Sequence, residues 1–174
     1  MSNSIEEQKN AVTVSDQERR DLESFVFKEA QLADESRYQE WEALLATQVR
    51  YWVPVIQDNP DPDRDVSIIN DNRSRLATRL RQLRTGTRHS QSPKSVMRRM
   101  LSNMTFTKNG DGNFSVEANF VIYEYQMQSV NQVNVWPGRV VYGLVIEDAQ
   151  LRMALKKVML IHSAGPIPSL AFIV

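Results

Sequence analysis

The chain has 174 residues, 41% of them hydrophobic, with 21 Lys and Arg against 21 Asp and Glu, two His and no Cys, which is enough for one good-sized core. Zero Cys excludes disulfides, zinc fingers, thiolate nucleophiles and any cluster held even partly by Cys, and zero net charge lacks the cationic excess of a nucleic-acid binder. With no apolar leader in Met1–Asn10 and no run near the roughly 18 apolar residues of a membrane span, the expectation is a soluble, cytoplasmic binding or assembly protein, or an enzyme working with carboxylates and water.

Residues 1–14 read as a flexible tail and 15–174 as a single domain. Ser15-x-x-Glu18 is a capping box, in which each side chain satisfies an orphan amide of a helix start. Leu22, Phe25, Val26, Ala30 and Ala33 then form one helical stripe that stops near Asp34. A second box, Ser36-x-x-Gln39, predicts a shorter helix carrying Tyr38, Trp41, Leu44 and Leu45. Gln48–Val55 alternates as a strand, with Val49, Tyr51, Val53 and Val55 on one face and Arg50 and Trp52 on the other. The run Asp58-Asn59-Pro60-Asp61-Pro62-Asp63 forbids regular structure. A third helix is expected from about Val66 to Leu83, with Ile69, Leu76, Leu80 and Leu83 on its buried stripe.

From Met97 the pattern is strand and turn. Asn109–Gly112 joins strands at Arg98–Thr107 and Asn113–Gln128. The second strand puts Val116, Ala118, Phe120 and Ile122 on one face and Val121, Tyr123, Tyr125 and Met127 on the other, which implies cover on both faces or a bulge. Val133–Glu147 reads as a strand broken at Pro137-Gly138. Gln150–Ser163 changes apolar parity, which predicts a bulge at Lys156-Lys157, and Leu170–Val174 reads as a last short strand. Helices first and an antiparallel meander afterwards is an α+β pattern, and a strongly curved sheet around the helices would make a cone.

The chemistry on offer is thin. His89 in a polar loop and His162 at a strand end share no metal-ligand spacing. Glu117, Glu124 and Glu147, with Tyr123, Tyr125 and Tyr142 nearby, could supply an acid or base inside a cone, although alternation puts Glu117 on a solvated face. Arg73, Arg75, Arg79, Arg81, Arg84 and Arg88 flank a leucine stripe, and Arg98 and Arg99 follow. Without interleaved aromatics, and with Asp58 to Asp71 balancing the charge, they point to ion pairs or a protein interface rather than nucleic acid. There is no Gly-rich phosphate loop, no Gly-x-Ser-x-Gly elbow, no Walker Lys and no repeat.

At the arginine helix the sequence becomes recognisable. Asp71-Asn72-Arg73-Ser74-Arg75-Leu76-Ala77-Thr78-Arg79-Leu80, then Thr85-Gly86, Ser92-Pro93-Lys94-Ser95 and Arg98-Arg99-Met100-Leu101-Ser102-Asn103, resemble the small (β) subunit of Rieske-type aromatic-ring-hydroxylating dioxygenases. Glu29-Ala30-x-Leu32-x-Asp34, Tyr38-x-x-Trp41, Tyr51-Trp52-Val53-Pro54-Val55, Arg152-x-x-x-Lys156-Lys157-Val158-x-Leu160 and Ser169-Leu170-Ala171-Phe172 agree in order. The pattern departs at Arg88–Ser92, where His89 stands in place of a frequent Trp, and Gln91 and Ser92 in place of frequent acids.

The resemblance implies a cone-shaped nuclear transport factor 2-like, or cystatin-like, fold: N-terminal helices packed in a strongly curved, mostly antiparallel sheet. It implies a non-catalytic assembly subunit with no cofactor, metal or catalytic residue of its own. A large α subunit would hold the Rieske [2Fe–2S] cluster and the mononuclear non-haem iron, and would choose the aromatic substrate. The β chains would self-associate as a trimer within a hexamer, while a ferredoxin or reductase carrying NADH-derived electrons would act on α, without nucleic acid or membrane. Trp52, Arg75, Arg79, Arg98 and Arg99 are the subunit-interface candidates. The alternative reading is a stand-alone cone-fold isomerase or dehydratase using an internal carboxylate or His162.

Overall fold

The computed structural model describes residues 13–85, 95–127, 132–167 and 170–174. Helix α1 spans Asp16–Asp34 and opens on the expected box: the Glu18 amide donates to Ser15 Oγ at 3.2 Å, and the Ser15 amide donates to Glu18 Oε2 at 2.9 Å. Its buried stripe holds Leu22, Phe25, Val26, Ala30 and Ala33 as expected, and also Leu32 and Glu29. Helix α2 (Tyr38–Glu42) buries Tyr38 and Trp41 but does not use the second box. Ser36 takes a left-handed φ of 54° where the chain turns out of α1, so Arg37 becomes the cap, without a side-chain bond.

Strand β1 covers Leu45–Pro54, starting earlier than expected. The expected third helix is two elements, β2 (Ser67–Asn72) and α3 (Arg73–Thr85). The β-branched Ile68-Ile69 lies beside β1, which pairs antiparallel with β2 as Trp52↔Asn70 and Val53↔Ile69. Asn72 then stops the strand and caps the helix, its Oδ1 accepting from the Arg75 amide at 3.1 Å. Ile69 is therefore buried in a strand, while Leu76 and Leu80 carry the buried side of α3.

The remaining strands are β3 (Val96–Lys108), β4 (Phe114–Gln126), β5 (Gln132–Glu147) and β6 (Gln150–Leu160). The six-stranded sheet has the order β2-β1-β6-β5-β4-β3 and is antiparallel except for β1 beside β6. β5 passes unbroken through Pro137-Gly138. The Pro137 carbonyl accepts from the Ile161 amide just past the end of β6, so the N–H that proline lacks would point where the neighbouring strand has already stopped. Gly138 is required by close approach, since a Cβ there would lie 2.5 Å from the Met159 carbonyl oxygen.

Register also shifts where β1 meets β2 at Val53/Pro54 and where it meets β6 between Leu45 and Arg50, and two further bulges bend the sheet. One lies in β3 between Ser102 and Thr105, with Asn103 at φ 53°. The other lies at Ala154, because Gly143 pairs with Leu155 and Leu144 with Met153. The parity of β6 thus changes before Lys156-Lys157, not at that pair, and Lys156 turns inward. β4 keeps register with β5 throughout, without a bulge. Its Val116, Ala118, Phe120 and Ile122 are buried, whereas Tyr123 and Tyr125 on the second face are exposed. Leu170–Val174 adds no strand; Phe172, Ile173 and Val174 pack as irregular chain into the core with α1, α2 and the inner sheet face.

Candidate functional site

The chemistry-bearing groups converge inside the curve of the sheet. Glu29 projects from the apolar stripe of α1 and is fully buried. Its carboxylate accepts from Trp41 Nε1 at 2.5 Å, Tyr142 Oη at 3.0 Å and Lys156 Nζ at 2.6 Å. The ammonium also lies 5.8 Å from the Trp41 ring centroid and 5.7 Å from that of Tyr142. Burial alone would raise the Glu29 carboxyl, but Lys156 and Arg99 hold it below its ordinary range. At Lys156 burial wins: the ammonium is pulled down to about 8, with Glu29 opposing and Arg99 assisting the fall. Arg99 contributes to the asymmetry, since its charge favours the carboxylate and disfavours the second cation. Burial and Glu29 together push the Tyr142 phenol up, so it stays a donor.

Arg99 closes the cluster from β3. Its Nε donates to Asp34 Oδ1 at 2.7 Å, its amide to Asp34 Oδ2 at 2.8 Å, and its Nη2 to the Ile173 carbonyl at 2.9 Å. Tyr51 Oη accepts from the Val174 amide at 3.1 Å. Two ion pairs and the segment 172–174 therefore fill the place where a cone fold could keep a substrate. The cavity left between Arg99, Phe120, Tyr142, Lys156 and Val174 measures about 10 Å³, at most one water. No buried side-chain nitrogen or oxygen among the described residues is left without a partner.

The carboxylates and the histidine of the enzyme reading are not gathered around this cavity. Glu124 faces inward but accepts from Ser95 Oγ, Gln126 Nε2, Asn134 Nδ2 and Trp136 Nε1, which ties together the ends of β3, β4 and β5. Glu147 closes the opposite end of β5, its carboxylate accepting from the Thr47 amide at 2.9 Å. His162 lies in the turn after β6, its ring 5.7 Å from that of Trp136. Glu117 pairs with Arg139 at 2.6 Å on the outer face. His89 lies outside the described residues. Among those described, no group of three or more His, Asp or Glu could hold a metal ion.

The interface candidates separate into inner and outer positions. The Arg99 side chain is 4% exposed and belongs to the interior. Trp52 is buried too, with its Nε1 donating to Ser67 Oγ at 2.9 Å and the Lys157 ammonium 4.8 Å over its ring. Both side chains serve the chain's own packing instead of its surface. Arg79 is partly covered and pairs with Asp71 at 2.6 Å. Arg75 and Arg98 are exposed and donate to the carbonyls of Asn70 and Met97, and the Arg98 charge also helps hold the Glu35 carboxyl below its ordinary range. The arginine-rich helix is thus tied largely to its own chain, Arg73 and Arg84 included, which reach Glu42. The missed feature of the surface is apolar: Val96, Met100, Tyr123, Tyr125, Val133 and Val135 stand exposed on one face of β3–β5.

Residues 28–165 match the family described as "Ring hydroxylating beta subunit". The chain is 26% identical over 127 residues to the benzene 1,2-dioxygenase subunit beta of Pseudomonas putida, covering 68% of this chain and 67% of that protein. It is 29% identical over 116 residues to the 3-phenylpropionate/cinnamic acid dioxygenase subunit beta of Photorhabdus laumondii subsp. laumondii, covering 62% and 64%. Among solved structures, naphthalene 1,2-dioxygenase with indole bound superposes at TM-score 0.79, with 16% identity, over 100% of this chain and 95% of that one. The beta subunit of benzoate 1,2-dioxygenase from Burkholderia mallei superposes at 0.68, with 18% identity, over 86% and 92%. At those identities the structures speak for a shared cone fold. The filled cone, the order of the motifs and the match across most of the chain converge on one assignment: this protein belongs to the ring-hydroxylating beta subunit family, the small subunits of ring-hydroxylating dioxygenases.

Proposed function

We propose that this chain is the non-catalytic assembly subunit of a multicomponent enzyme that cis-dihydroxylates an aromatic compound with O2 and NADH-derived electrons. A Rieske cluster requires two Cys and two His, and a chain with no Cys lacks that donor set. The cluster and the mononuclear iron therefore belong to a large α subunit, and no chemical step is routed through the residues described here. Ferredoxin and reductase act on that α subunit, and the β chains associate as a trimer within a hexamer.

The observation that carries this reading is the interior of the cone. A pocket enzyme of this fold needs an acid or base facing open space. Here Glu29, Lys156 and Tyr142 bond one another, and the space left is about 10 Å³. The surface is what remains available for work. Arg75, Arg79 and Arg98, with the apolar face of β3–β5, supply the contacts between chains, while Trp52 and Arg99 hold that surface in shape from beneath.

The test is co-expression with the large subunit, followed by size-exclusion chromatography and turnover of an aromatic substrate. The expected result is co-elution as a complex several times the 20.0 kDa of this chain, with turnover only when the large subunit is present. Isomerase or dehydratase turnover by the purified chain, abolished by Glu124→Gln or His162→Ala, would overturn the proposal, as would failure to co-elute.

A further inference from the structure

The segment Leu170–Val174 is held in the cone differently from the strands around it. β6 ends at Leu160, a turn follows with the Gly165 amide on the His162 carbonyl at 3.0 Å, and the segment then lies in the core without joining the sheet. Phe172, Ile173 and Val174 are each at most 2% exposed. Among the described residues, this segment makes no backbone–backbone hydrogen bond. Its main chain is gripped instead at a single peptide group. The Ile173 carbonyl accepts from Arg99 Nη2 at 2.9 Å, and the amide across the same peptide bond, that of Val174, donates to Tyr51 Oη at 3.1 Å. A segment fixed by one clamped amide and its side chains opens at lower cost than a strand held by a ladder.

The walls around the segment are pinned by bonds that do not involve it. Arg99 stays on Asp34 through its Nε at 2.7 Å and its amide at 2.8 Å. Tyr142 Oη donates to Glu29 at 3.0 Å, and Trp136 Nε1 to Glu124 at 3.1 Å. Phe120, Val140 and Val158 supply the apolar side beside Val174. Withdrawing the segment therefore leaves a shaped cavity that resists collapse, with one guanidinium N–H and one phenol oxygen newly free inside it. Charge there is already balanced, Glu29 against Lys156 at 2.6 Å and Asp34 against Arg99 at 2.7 Å. A carboxylate entering the cavity would meet no unpaired cation and would have to be desolvated without return. A neutral group carrying an acceptor beside a donor reproduces both released bonds.

We propose that the cone is a binding site for neutral aryl-alkyl amides, and that Leu170–Val174 occupies it as a built-in ligand that such compounds displace. The ligand's carbonyl takes Arg99 Nη2 and its N–H takes Tyr51 Oη. Its aromatic ring takes the place of Phe172, which stands edge-on to Trp136 with centroids 5.8 Å apart. The displacement frees no acid or base, because Glu29, Lys156 and Tyr142 bond one another and not the segment. The site therefore binds without catalysing, and it stands independently of the assembly reading above.

The experiment uses three matched probes, N-methyl-6-phenylhexanamide, methyl 6-phenylhexanoate and the free 6-phenylhexanoate anion, titrated calorimetrically into the full chain. Their alkyl chain spaces ring from carbonyl as the main chain spaces the Phe172 ring from the Ile173 carbonyl. A ligand must first displace the segment, so Phe172→Ala, which loosens it, is expected to bind the amide at least about tenfold more tightly than the unmodified chain does. In that variant the amide should outbind the ester by about fivefold, the worth of one hydrogen bond, and adding Tyr51→Phe should erase the preference. Amide and ester bound equally, the anion bound as tightly as the amide, or no binding by a natively folded Phe172→Ala each overturns the proposal. Should Phe172→Ala fail to fold, hydrogen exchange of the unmodified chain decides. The Val174 amide is expected to exchange at least about tenfold faster than the paired amides of β5 and β6, and faster still with the amide probe present. Exchange at the strands' rate, unaltered by the probe, overturns the proposal.

Discussion

Replacing Lys156 with Met removes one partner of the buried pair while keeping most of its volume. Glu29 would keep the Trp41 and Tyr142 donors but lose the cation 2.6 Å away. Removing one member of a buried ion pair costs about 3–5 kcal/mol, because the other charge is left uncompensated. At 2–4 °C per kcal/mol for a domain of this size, the melting temperature falls by roughly 6–20 °C. Adding Glu29→Gln removes the stranded charge, and the amide oxygen still accepts from one of the two donors. The double variant is then less damaged than the sum of the singles by about 1–3 kcal/mol. A pH signature accompanies this. In Lys156→Met the Glu29 carboxyl loses its strongest opposing charge and moves up, with Arg99 and Trp41 still resisting burial, so acidification protonates it more readily and narrows the gap to the unmodified protein. Urea unfolding at fixed protein concentration, from neutral to mildly acidic pH, measures all of this. A loss under about 1 kcal/mol for Lys156→Met, or strictly additive singles, would refute the claim that this pair is a buried, coupled unit.

Gly138→Ala would press a Cβ to 2.5 Å from the Met159 carbonyl and 2.7 Å from Phe120 Cζ. Since main chain cannot rotate aside, denaturant unfolding should show a loss of about 1–3 kcal/mol. Phe172→Ala empties a site edge-on to Trp136, with ring centroids 5.8 Å apart, and should cost about 3–5 kcal/mol by the same measurement. Glu18 is held down to about 2 from an ordinary 4.5, first by its bond with Lys108 and then by the Ser15 amide and hydroxyl. A lowered folded value means that this stabilisation is complete above about 4.5 and is lost as pH falls toward about 2. Glu18→Gln should therefore melt lower than the unmodified chain at pH 7 and coincide with it near pH 2.

Elements whose apolar period is uninterrupted could be read from residues alone. The stripe of α1 and the inner face of β4 follow from the spacings of Leu22 to Ala33 and Val116 to Ile122. β2 could not be read this way. Ile69, Leu76, Leu80 and Leu83 repeat at seven, four and three, so a six-residue edge strand and the following helix share one apparent period across their junction. Asn72, a strong cap, was the local signal against it. The parity switch in β6 was visible, but its position was not, because a bulge shows only against the partner strand. The ion cluster left a half-signal. Glu29 lies three residues after Val26 on the buried stripe, where an acid needs a cation, yet that cation is 127 positions away on β6. Arginine spacing on α3 suggested contacts outward; the acids that receive Arg79 and Arg84 sit on β2 and α2, which only the fold brings near.

The one parallel pairing in the sheet bears on how the chain folds. β1 sits between β2 and β6, and its register runs Arg50↔Leu155 and Trp52↔Lys157. Until β6 is available, β1 has only a short antiparallel neighbour, and an isolated two-stranded ribbon is marginal in water. Glu29 is stranded over the same interval, a carboxylate on an apolar helix face with its cation still to be made. Closing a loop of about a hundred residues is an entropic cost that precedes any reward from those contacts. The front half of the chain must therefore wait, apolar and incomplete, for the back half. During synthesis that interval is a window for chaperone binding or misassembly, and it ends when β6 delivers a strand edge and an ammonium in the same step.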